Sequence, residues 1–447
     1  MLRLRFAEFI LSEAERLSMT LGNRAPATCH AEHSEASHTT SAVVYSRRFS
    51  LDLQKIQAYM QQEGIGAWLV YDFRGGNPVL WQLLGQRRHT TRRVFLIVPA
   101  AGAPRLLGSA VEPEALAGLG VEIAHYASWE QLHALLRDAV DGLPQVAMEY
   151  WPGGTLPMVS WVDGGTLDLV RSLGPEVVSS ADLCQVALAT WSADALASHR
   201  DACRQVAEVK DAAFEYIRNH LHTGFRLSSS RSLTEFAVQS FIVAELEQRG
   251  LDSGHPPIVG VNGNSGNPHY EPHADTAAPI EPGAWILIDL WARHPGEQHV
   301  FGDMTWVAFA GPRVPAAHAE VFAAVREARD QVLERLDAAW CADEVLQGWQ
   351  LDQVARQVMT KHGLGEQFVH RTGHSLGPGP SIHALGVNLD DLETHDARSI
   401  LPGTGFSVEP GAYLPEFGVR LEVNVYVDPE TGPEVTTPIQ NEVILLL

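Results

Sequence analysis

Carboxylates embedded in apolar runs constrain the last third of this chain more than any other feature of its sequence. The run AWILIDL brings five consecutive hydrophobic residues to Asp289, and a carboxylate that ends a buried strand is costly unless a cation meets it. Asp303 follows 14 residues later, after a polar turn, and opens the strand candidate MTWVAFAG. A hairpin would return this second carboxylate beside the first, where the two charges repel each other unless a cation bridges them.

Further polar residues lie in the same kind of setting. In VHRTGHSLG, two glycines let the backbone bend around His374, and in FSVEPGAYL, Glu409 interrupts a strand just before a Pro-Gly turn. In VRLEVNVYV, strand alternation places Arg420 and Glu422 on one face. Each residue alone has an ordinary interpretation as a turn residue, a solvent-facing side chain or a structural histidine.

Taken together, these side chains indicate a metal site. Four carboxylates and one imidazole balance the charge of two divalent cations, and hard oxygen ligands with one nitrogen suit Mn²⁺, Fe²⁺, Co²⁺ or Zn²⁺. Two such ions about 3.5–4 Å apart generate hydroxide and polarise a carbonyl group. The pattern therefore predicts a dinuclear hydrolytic centre.

Composition excludes several other classes of protein. The 32 Lys and Arg residues against 54 Asp and Glu give a net charge of −22, which repels nucleic acids and anionic lipids. No window resembles a membrane span, and Glu8 and Glu13 interrupt the apolar opening where a signal peptide needs an unbroken core. The four cysteines are far apart and form no CxxC motif. We therefore expect a cytoplasmic protein without nucleic-acid or membrane partners, whose metal ligands are His and carboxylate.

The chain divides into three predicted parts. Residues 1–48 begin with a weakly amphipathic stretch, continue into Ala25–Thr40, which is rich in Ala, Ser, Thr and His, and are expected to form a poorly ordered extension. Within it, a metal cluster of Cys29, His30 and His33 is disfavoured because a solvated tail explains these residues more simply. We expect that deleting this extension leaves folding and activity nearly unchanged.

The other two parts differ in the order of their elements. Residues 49–187 alternate helical stretches with short strands such as AWLVYD and RRVFLIVP, which predicts a small α/β domain. Residues 188–447 begin with two amphipathic helices and continue with mostly antiparallel strand candidates and a helix pair at 315–337 and 350–362. This pattern predicts an α+β domain, and it contains all the candidate ligands.

The order and spacing of the motifs resemble those of the pita-bread metallopeptidases, the superfamily of methionine aminopeptidase, aminopeptidase P, prolidase and the metal-free creatinase. The motifs are ILIDLWA with FGDMTWV, HRTGHSLG with SIHALG, SVEPGAYL, and GVRLEVNV. The resemblance covers roughly residues 50–447. It implies a creatinase-like α/β N-terminal domain followed by an α+β pita-bread catalytic domain, a combination found in the aminopeptidase P and prolidase branch.

The resemblance also implies roles for particular residues. The implied metal ligands are Asp289, Asp303, His374, Glu409 and Glu422, with Asp303 and Glu422 bridging both ions and Glu409 doubling as proton shuttle. The implied reaction is the attack of a metal-bridging hydroxide on the carbonyl of an Xaa-Pro bond. Among the histidines, His269 corresponds to one that contacts the substrate, His383 to one that stabilises the tetrahedral intermediate, and His370 to one in the wall of the active site.

The chain departs from the family pattern at several positions. Trp306 stands where an arginine is usual, and Val423-Asn424 follow the last ligand where acidic residues are common. We expect an altered pocket wall, in which Trp291 or Trp306 would suit the pyrrolidine ring of proline, and weaker support for Glu422. The ligand set itself is unaffected.

The leading hypothesis is a metallopeptidase that uses two divalent ions, Mn²⁺ being favoured over Co²⁺, Zn²⁺ or Fe²⁺, to cleave short proline-containing peptides. The resemblance further implies a homodimer, in which the N-terminal domain of one subunit narrows access to the site of the other. Two alternatives stay open: a hydrolase or lyase for a non-peptide substrate on the same scaffold, and a non-catalytic binding protein. The second is less favoured because such proteins normally lose the metal ligands.

Overall fold

The computed structural model of the protein describes residues 52–224 and 232–447. The predicted extension at residues 1–48, with Cys29, His30 and His33, lies outside the described residues. None of the described helices is long and apolar enough to cross a membrane.

A six-stranded sheet with helices on both faces occupies the first part of the described chain. Its elements are α1 (Leu53–Glu63), β1 (Ala67–Phe73), α2 (Pro78–Leu83), β2 (Arg93–Pro99), β3 (Arg105–Ser109), β4 (Glu122–Tyr126), α3 (Trp129–Val140), β5 (Gln145–Met148), α4 (Gly164–Ser172) and β6 (Glu176–Ser179). The strand order is β4-β3-β2-β1-β5-β6. Strand β1 pairs antiparallel with β2 and parallel with β5.

The side chains of β1 explain why this sheet is covered on both faces. Trp68 and Val70 pack into one apolar cluster with α1 and α2, whereas Leu69 and Tyr71 pack into a second cluster with α3 and α4. Ala67 to Tyr71 are all buried, so this part of the strand has no face for solvent. The α/β architecture predicted for this part is therefore confirmed.

A helical segment connects this sheet to the rest of the chain. It consists of α5 (Ala181–Cys184), a π-helical turn (Gln185–Ala189), the long helix α6 (Ala193–Gly224) and α7 (Glu235–Gln248). Helix α6 is capped by Ser192, whose Oγ accepts a 3.1 Å hydrogen bond from the backbone N–H of Ala195. Its predicted apolar stripe, which includes Val206 and Ile217, is buried.

The remaining strands form two four-stranded sheets and a hairpin. The first sheet, in the order β16-β9-β8-β7, consists of β7 (Ile258–Val261), β8 (Trp285–Ala292), β9 (Gly302–Phe309) and β16 (Ile444–Leu445). The second, in the order β10-β11-β14-β15, consists of β10 (Ser375–Leu376), β11 (Gly405–Val408), β14 (Val423–Asp428) and β15 (Gly432–Val435). The hairpin is β12 (Gly411–Tyr413) with β13 (Gly418–Arg420), and the helices α8 (Ala316–Cys341) and α9 (Gly348–Lys361) precede the second sheet in the chain.

Short 3₁₀ turns complete the described structure: Pro113–Leu116, Pro152–Gly154, Pro157–Val159, Asn262–Gly266 and Gly365–Gln367.

The hairpin of β8 and β9 separates the two main apolar clusters of this second part. Trp285, Leu287 and Val307 pack with α8, α9 and the second sheet, whereas Ile286 and Ala308 pack with α6 and α7. Strand alternation extends the first of these faces to Asp289 and Thr305. The candidate carboxylates therefore lie at the end of an otherwise apolar interface between two sheets.

Candidate metal centre

The β8–β9 hairpin brings the two predicted aspartates to the same face. In the antiparallel register, Asp289 is opposite Thr305 and Trp291 is opposite Asp303. Both aspartates are buried. The sequence had indicated that Asp289 ends its strand. Strand β8 continues through Ala292, so Asp289 instead lies inside the strand.

His374 faces these carboxylates from the adjacent sheet. Its backbone N–H donates a 2.9 Å hydrogen bond to Oγ of Ser407, and its Nδ1 lies 3.2 Å from the carbonyl oxygen of Ser375. A carbonyl only accepts, so Nδ1 carries a proton and Nε2 is the ring nitrogen that faces the carboxylates. That Nε2 lies 3.4 Å from Oδ2 of Asp303 and 3.7 Å from Oε1 of Glu409.

The close approach of the backbone beside His374 depends on a glycine. A Cβ atom at Gly373 would lie 2.0 Å from the carbonyl oxygen of Ser407, which no side chain tolerates. The motif TGH thus lets the histidine segment pair tightly with the strand that leads to Glu409.

Glu422 completes a compact group with Asp303 and His374. One potential ligand atom from each of the three residues lies within 4.8 Å of the others, and all three side chains are buried. Oε2 of Glu422 accepts a 2.8 Å hydrogen bond from the hydroxyl of Thr305. Such a spacing of oxygen and nitrogen atoms around one point fits a divalent cation.

Arg420 links the remaining two predicted ligands. Its guanidinium forms an ion pair with Oδ2 of Asp289, and its Nε lies 3.9 Å from Oε2 of Glu409. Oγ of Ser407 also donates a 3.1 Å hydrogen bond to Oε1 of Glu409. Asp289 and Glu409 therefore border the group of Asp303, His374 and Glu422 and share one arginine.

Three carboxylate oxygens in this site accept no hydrogen bond from the described residues: Oδ1 of Asp289, Oδ1 of Asp303 and Oε1 of Glu422. Buried polar atoms are normally hydrogen-bonded, and an unpaired buried carboxylate oxygen is more costly still. A cation that contacts these oxygens would remove that cost. The donor set present therefore fits bound divalent ions.

The acid pKa values report the same excess of negative charge. Burial, reinforced by the charge of Asp303, raises the pKa of Asp289 to about 7 despite Arg420. Burial and the neighbouring carboxylates also raise the pKa of Glu422 well above its usual range, and burial raises that of Asp303. For Glu409, burial acts in the same direction, but His374, His370 and Arg420 outweigh it and lower the pKa.

The three predicted histidines of the pocket differ in their surroundings. His383 is exposed, with its ring 4.2 Å from that of His374, and His269 is exposed beside Pro268, whose carbonyl accepts a 3.4 Å bond from Arg420. The pKa of His383 is lowered to about 3, first by the charge of His374 and then by the partial loss of solvent around the ring, although the residue as a whole is exposed. His370 is held on both nitrogens, by the carbonyl of Arg371 at 2.6 Å and by the hydroxyl of Tyr413 at 2.7 Å.

Residues 197–429, slightly more than half of the chain, match the model of metallopeptidase family M24. The chain belongs to this family. Its relatives include an Xaa-Pro dipeptidase of Lactobacillus helveticus, 32% identical over 193 residues, an alignment that covers 42% of this chain and 47% of the relative. The chain thus spans about half the length of that relative.

Two further comparisons extend over most of this chain. The probable dipeptidase PepE of Mycobacterium tuberculosis is 24% identical over 419 residues, which covers 91% of this chain and 97% of the relative. The crystal structure of dipeptidase PepE from Mycobacterium ulcerans superimposes with a TM-score of 0.61 at 23% identity, over 88% of this chain and 96% of that one. The predicted resemblance and the predicted two-part pita-bread architecture are confirmed.

One expectation about the pocket wall of this M24 protein is wrong. Trp306 lies on the opposite face of β9 from Thr305, in the apolar cluster with α6 and α7, and Nζ of Lys210 lies 3.5 Å from the centroid of its indole ring. Strand alternation turns the side chain away from the metal ligands. Trp291, by contrast, shares the face of Asp289 and donates a 2.8 Å hydrogen bond to the carbonyl of Ser253.

Asn424 contacts the strand that carries Asp303. Its Oδ1 accepts a 2.8 Å hydrogen bond from the backbone N–H of Asp303. The residue therefore contacts the candidate ligand Asp303 in β9, and the weaker support expected for Glu422 stays a prediction.

Sequence reasoning missed three side chains that contact the candidate ligands or their neighbours: Thr305, Ser407 and Tyr413. Thr305 contacts Glu422 and Arg420, Ser407 contacts Glu409, and Tyr413 joins His370 to Arg420 through a 3.0 Å bond. Thr305 and Ser407 each lie two residues from a ligand on the same strand face, so alternation was the signal that would have found them. Tyr413 carried no such signal.

Proposed function

We propose that this M24 chain is a dinuclear metallopeptidase that cleaves Xaa-Pro bonds in short peptides, with residues 188–447 as its catalytic domain. The observation that carries the proposal is the buried carboxylate cluster with three oxygens that lack hydrogen-bond partners among the described residues. The proposed ligands are Asp289, Asp303, His374, Glu409 and Glu422, and Mn²⁺ is the favoured ion. Bound divalent ions supply an activated water molecule and a Lewis acid for the scissile carbonyl.

Glu409 is placed to move the proton in this reaction. It lies at the border of the ligand group, is less deeply buried than Asp303, and accepts a hydrogen bond from Ser407 that fixes one of its oxygens. A carboxylate that stays ionised accepts a proton from the attacking water and returns it to the leaving nitrogen. The positive groups around Glu409, which lower its pKa, favour that ionised form.

His383 and His269 are assigned to the substrate rather than to the ions. Both are exposed, and the lowered pKa of His383 keeps its imidazole neutral near neutral pH. A neutral imidazole N–H donates a hydrogen bond to a carbonyl oxygen as negative charge develops on it, which stabilises the transition state more than the substrate. His370, held by Tyr413, forms the wall behind Glu409.

The specificity for proline is supported by the name of the Lactobacillus relative, an Xaa-Pro dipeptidase. An imide nitrogen has no N–H to donate, and its ring fixes the direction of the chain, so recognition depends on an apolar wall. Trp291 is the aromatic residue that remains on the correct face of the sheet. The proposal includes a homodimer, as the family resemblance implies.

The test is a peptide panel assayed after removal of metal. The protein is treated with a chelator, dialysed and given Mn²⁺, Co²⁺ or Zn²⁺, and Xaa-Pro dipeptides and Xaa-Pro-Yaa tripeptides are compared with matched Xaa-Ala and Xaa-Leu peptides. We expect no turnover without metal and turnover of proline peptides with it. Equal cleavage of proline and alanine peptides would contradict the specificity, and a fully metal-loaded protein that cleaves no peptide would contradict the proposed function.

The non-peptide alternative has lost its main support. A non-peptide substrate would call for an altered pocket wall, and Trp306, the residue that departs from the family pattern there, faces helix α6 instead.

A further inference from the structure

The segment that carries His383 and flanks His374 is attached to the N-terminal half of the chain by buried side chains. Residues 387–389 run alongside His374: the N–H of Leu389 donates 2.9 Å to the carbonyl of Gly373, and Oδ1 of Asn388 accepts 3.0 Å from the N–H of Ser375. The carbonyl of Ser375 in turn accepts 2.9 Å from Ala384, the neighbour of His383. Asn388 thus contacts the backbone that places both histidines.

Asn388 is fixed in a group of buried polar residues. Its N–H donates 2.8 Å to Oδ2 of Asp396, and Asp396 forms a 2.6 Å ion pair with Arg398 in which both side chains are fully buried. Arg398 also donates 2.8 Å to the carbonyl of Leu385. We call Asn388, Asp396 and Arg398 the buried triad.

Two residues from the first half of the chain reach this segment. The sulfur of Met158 lies 3.1 Å from both Nδ2 of Asn388 and Nη2 of Arg398. Gln185, at the start of the π-helical turn, is fully buried. Its Oε1 accepts 2.9 Å from the N–H of Val387, and its Nε2 donates 3.1 Å to the carbonyl of Ser399.

None of these side chains belongs to the proposed ligand set, and the bonds described above do not connect any of them to a proposed ligand side chain. Their bonds instead determine where the backbone on both sides of His374 and His383 lies. A buried side chain that satisfies one N–H and one carbonyl on the same segment fixes that segment in a single arrangement. Displacements of about 1 Å at a catalytic group change rates by as much as roughly 10²-fold.

We propose that Gln185 and Asn388 are positioning residues, through which the N-terminal half of the chain holds His374 and His383 in their working relation within the same subunit. This inference rests on the proposed function for its kinetic consequence only. The π-helical turn is part of this arrangement, because its first residue, Gln185, contacts the backbone of Val387 and Ser399.

The test compares Gln185→Leu and Asn388→Leu with Gln440→Leu in the full-length, metal-loaded protein. Gln440 is the matched control: it is also buried, and its side chain bonds the N–H and the carbonyl of Val307, at 2.9 and 2.7 Å, and the carbonyl of Glu442 at 2.9 Å. The readouts are amide hydrogen exchange of residues 372–389, metal content, and kcat and KM for an Xaa-Pro peptide.

We expect amide exchange in residues 372–389 to be at least about tenfold faster in Gln185→Leu and in Asn388→Leu than in the parent protein. The kcat per metal-loaded chain should fall by about tenfold or more, and KM should change by no more than about twofold. Asn388→Asp, which keeps the oxygen that accepts from the N–H of Ser375, should retain most of the kcat that Asn388→Leu loses. Gln440→Leu should lose stability but keep exchange in this segment and kcat.

Unchanged exchange and unchanged kcat in Gln185→Leu would overturn the inference. If the parent protein cleaved no Xaa-Pro peptide, the proposed function would fail, and the exchange measurement alone would decide this inference. If Gln185→Leu did not fold, Met158→Leu would replace it, because leucine has nearly the same volume and removes only the sulfur acceptor. Exchange in residues 372–389 that stays at the parent rate in that variant would equally overturn the inference.

Discussion

The hydroxyl of Thr305 donates a 2.8 Å hydrogen bond to Oε2 of Glu422, although 117 residues separate the two in the chain. The same hydroxyl accepts a 3.0 Å bond from Nε of Arg420. One buried threonine thereby joins the β8–β9 hairpin, which carries Asp289 and Asp303, to the segment after β13, which carries Glu422. The proposed ligands from the two sheets are held in register by this contact.

Thr305→Val should weaken metal binding without preventing folding. Valine keeps the shape of threonine but removes both bonds, so Glu422 and Arg420 lose their shared partner. We expect the affinity for Mn²⁺ to fall about 10- to 100-fold, the range for residues that orient metal ligands. Competition with a chelator measures it, and Thr166→Val is the control, because that hydroxyl donates 2.7 Å to Asp163 in the N-terminal sheet region. Equal metal affinity in parent and Thr305→Val would refute the contact's role.

Glu422→Gln should bind fewer than two metal ions per chain and be inactive. The substitution removes one negative charge that the proposed pair of cations requires and leaves a buried amide beside Asp303. Elemental analysis of the purified variant gives the stoichiometry. Glu434→Gln, which alters a carboxylate paired with Arg200 at the surface, should keep both ions. Two full equivalents in Glu422→Gln would show that it is not a ligand.

His383→Ala and His269→Ala should lower kcat/KM while the metal content stays at that of the parent. For His383, the loss should fall mainly in kcat, by about 10²- to 10³-fold, because a bond to the developing oxyanion exists only in the transition state. Steady-state kinetics combined with elemental analysis separates the two effects. Release of metal from His383→Ala would place this histidine among the ligands.

The free energy of unfolding should decrease as the pH is lowered, because of His199. This buried imidazole lies 2.7 Å from both the carbonyl of Phe301 and the hydroxyl of Thr436, and burial lowers its pKa to about 4. The unfolded chain, with a histidine pKa near 6.5, binds the proton first, so stability is lost as pH falls from about 6.5 towards 4. The loss from this residue between pH 7 and pH 5 should be about 2 kcal/mol.

Chemical denaturation of the parent and of His199→Gln at the two pH values checks this expectation. The variant should be less stable at pH 7 but should lose about 2 kcal/mol less on acidification, since its amide does not titrate. Equal losses in the two proteins would mean that His199 is not held neutral by the fold.

The candidate ligands could be picked out from sequence because each is a charged or polar residue in apolar surroundings. Asp289 and Asp303 were placed in one hairpin by the same reasoning, and the register confirms that they share a face. Alternation from Asp303 also predicts that Trp306 points away from the site, but the comparison with the family arginine led to the opposite expectation. Alternation was therefore the more reliable guide within a strand.

Other features could not be predicted, because they depend on packing between distant segments. The ion pair of Asp289 with Arg420 spans 131 residues, and the bond from Val387 to Gln185 spans 202. The local sequence around either residue of such a pair does not indicate which distant residue it contacts. The sequence alone therefore indicates which residues are candidates for the site but not what holds them in place.

The most direct test of the metal centre is anomalous diffraction from crystals of the protein loaded with Mn²⁺. The proposal predicts two strong anomalous peaks per chain, both in contact with the group formed by Asp303, His374 and Glu422, and with Asp289 and Glu409 each contacting an ion. A peak elsewhere in the chain with none at this group, or full occupancy by a single ion under saturating Mn²⁺, would contradict the dinuclear centre.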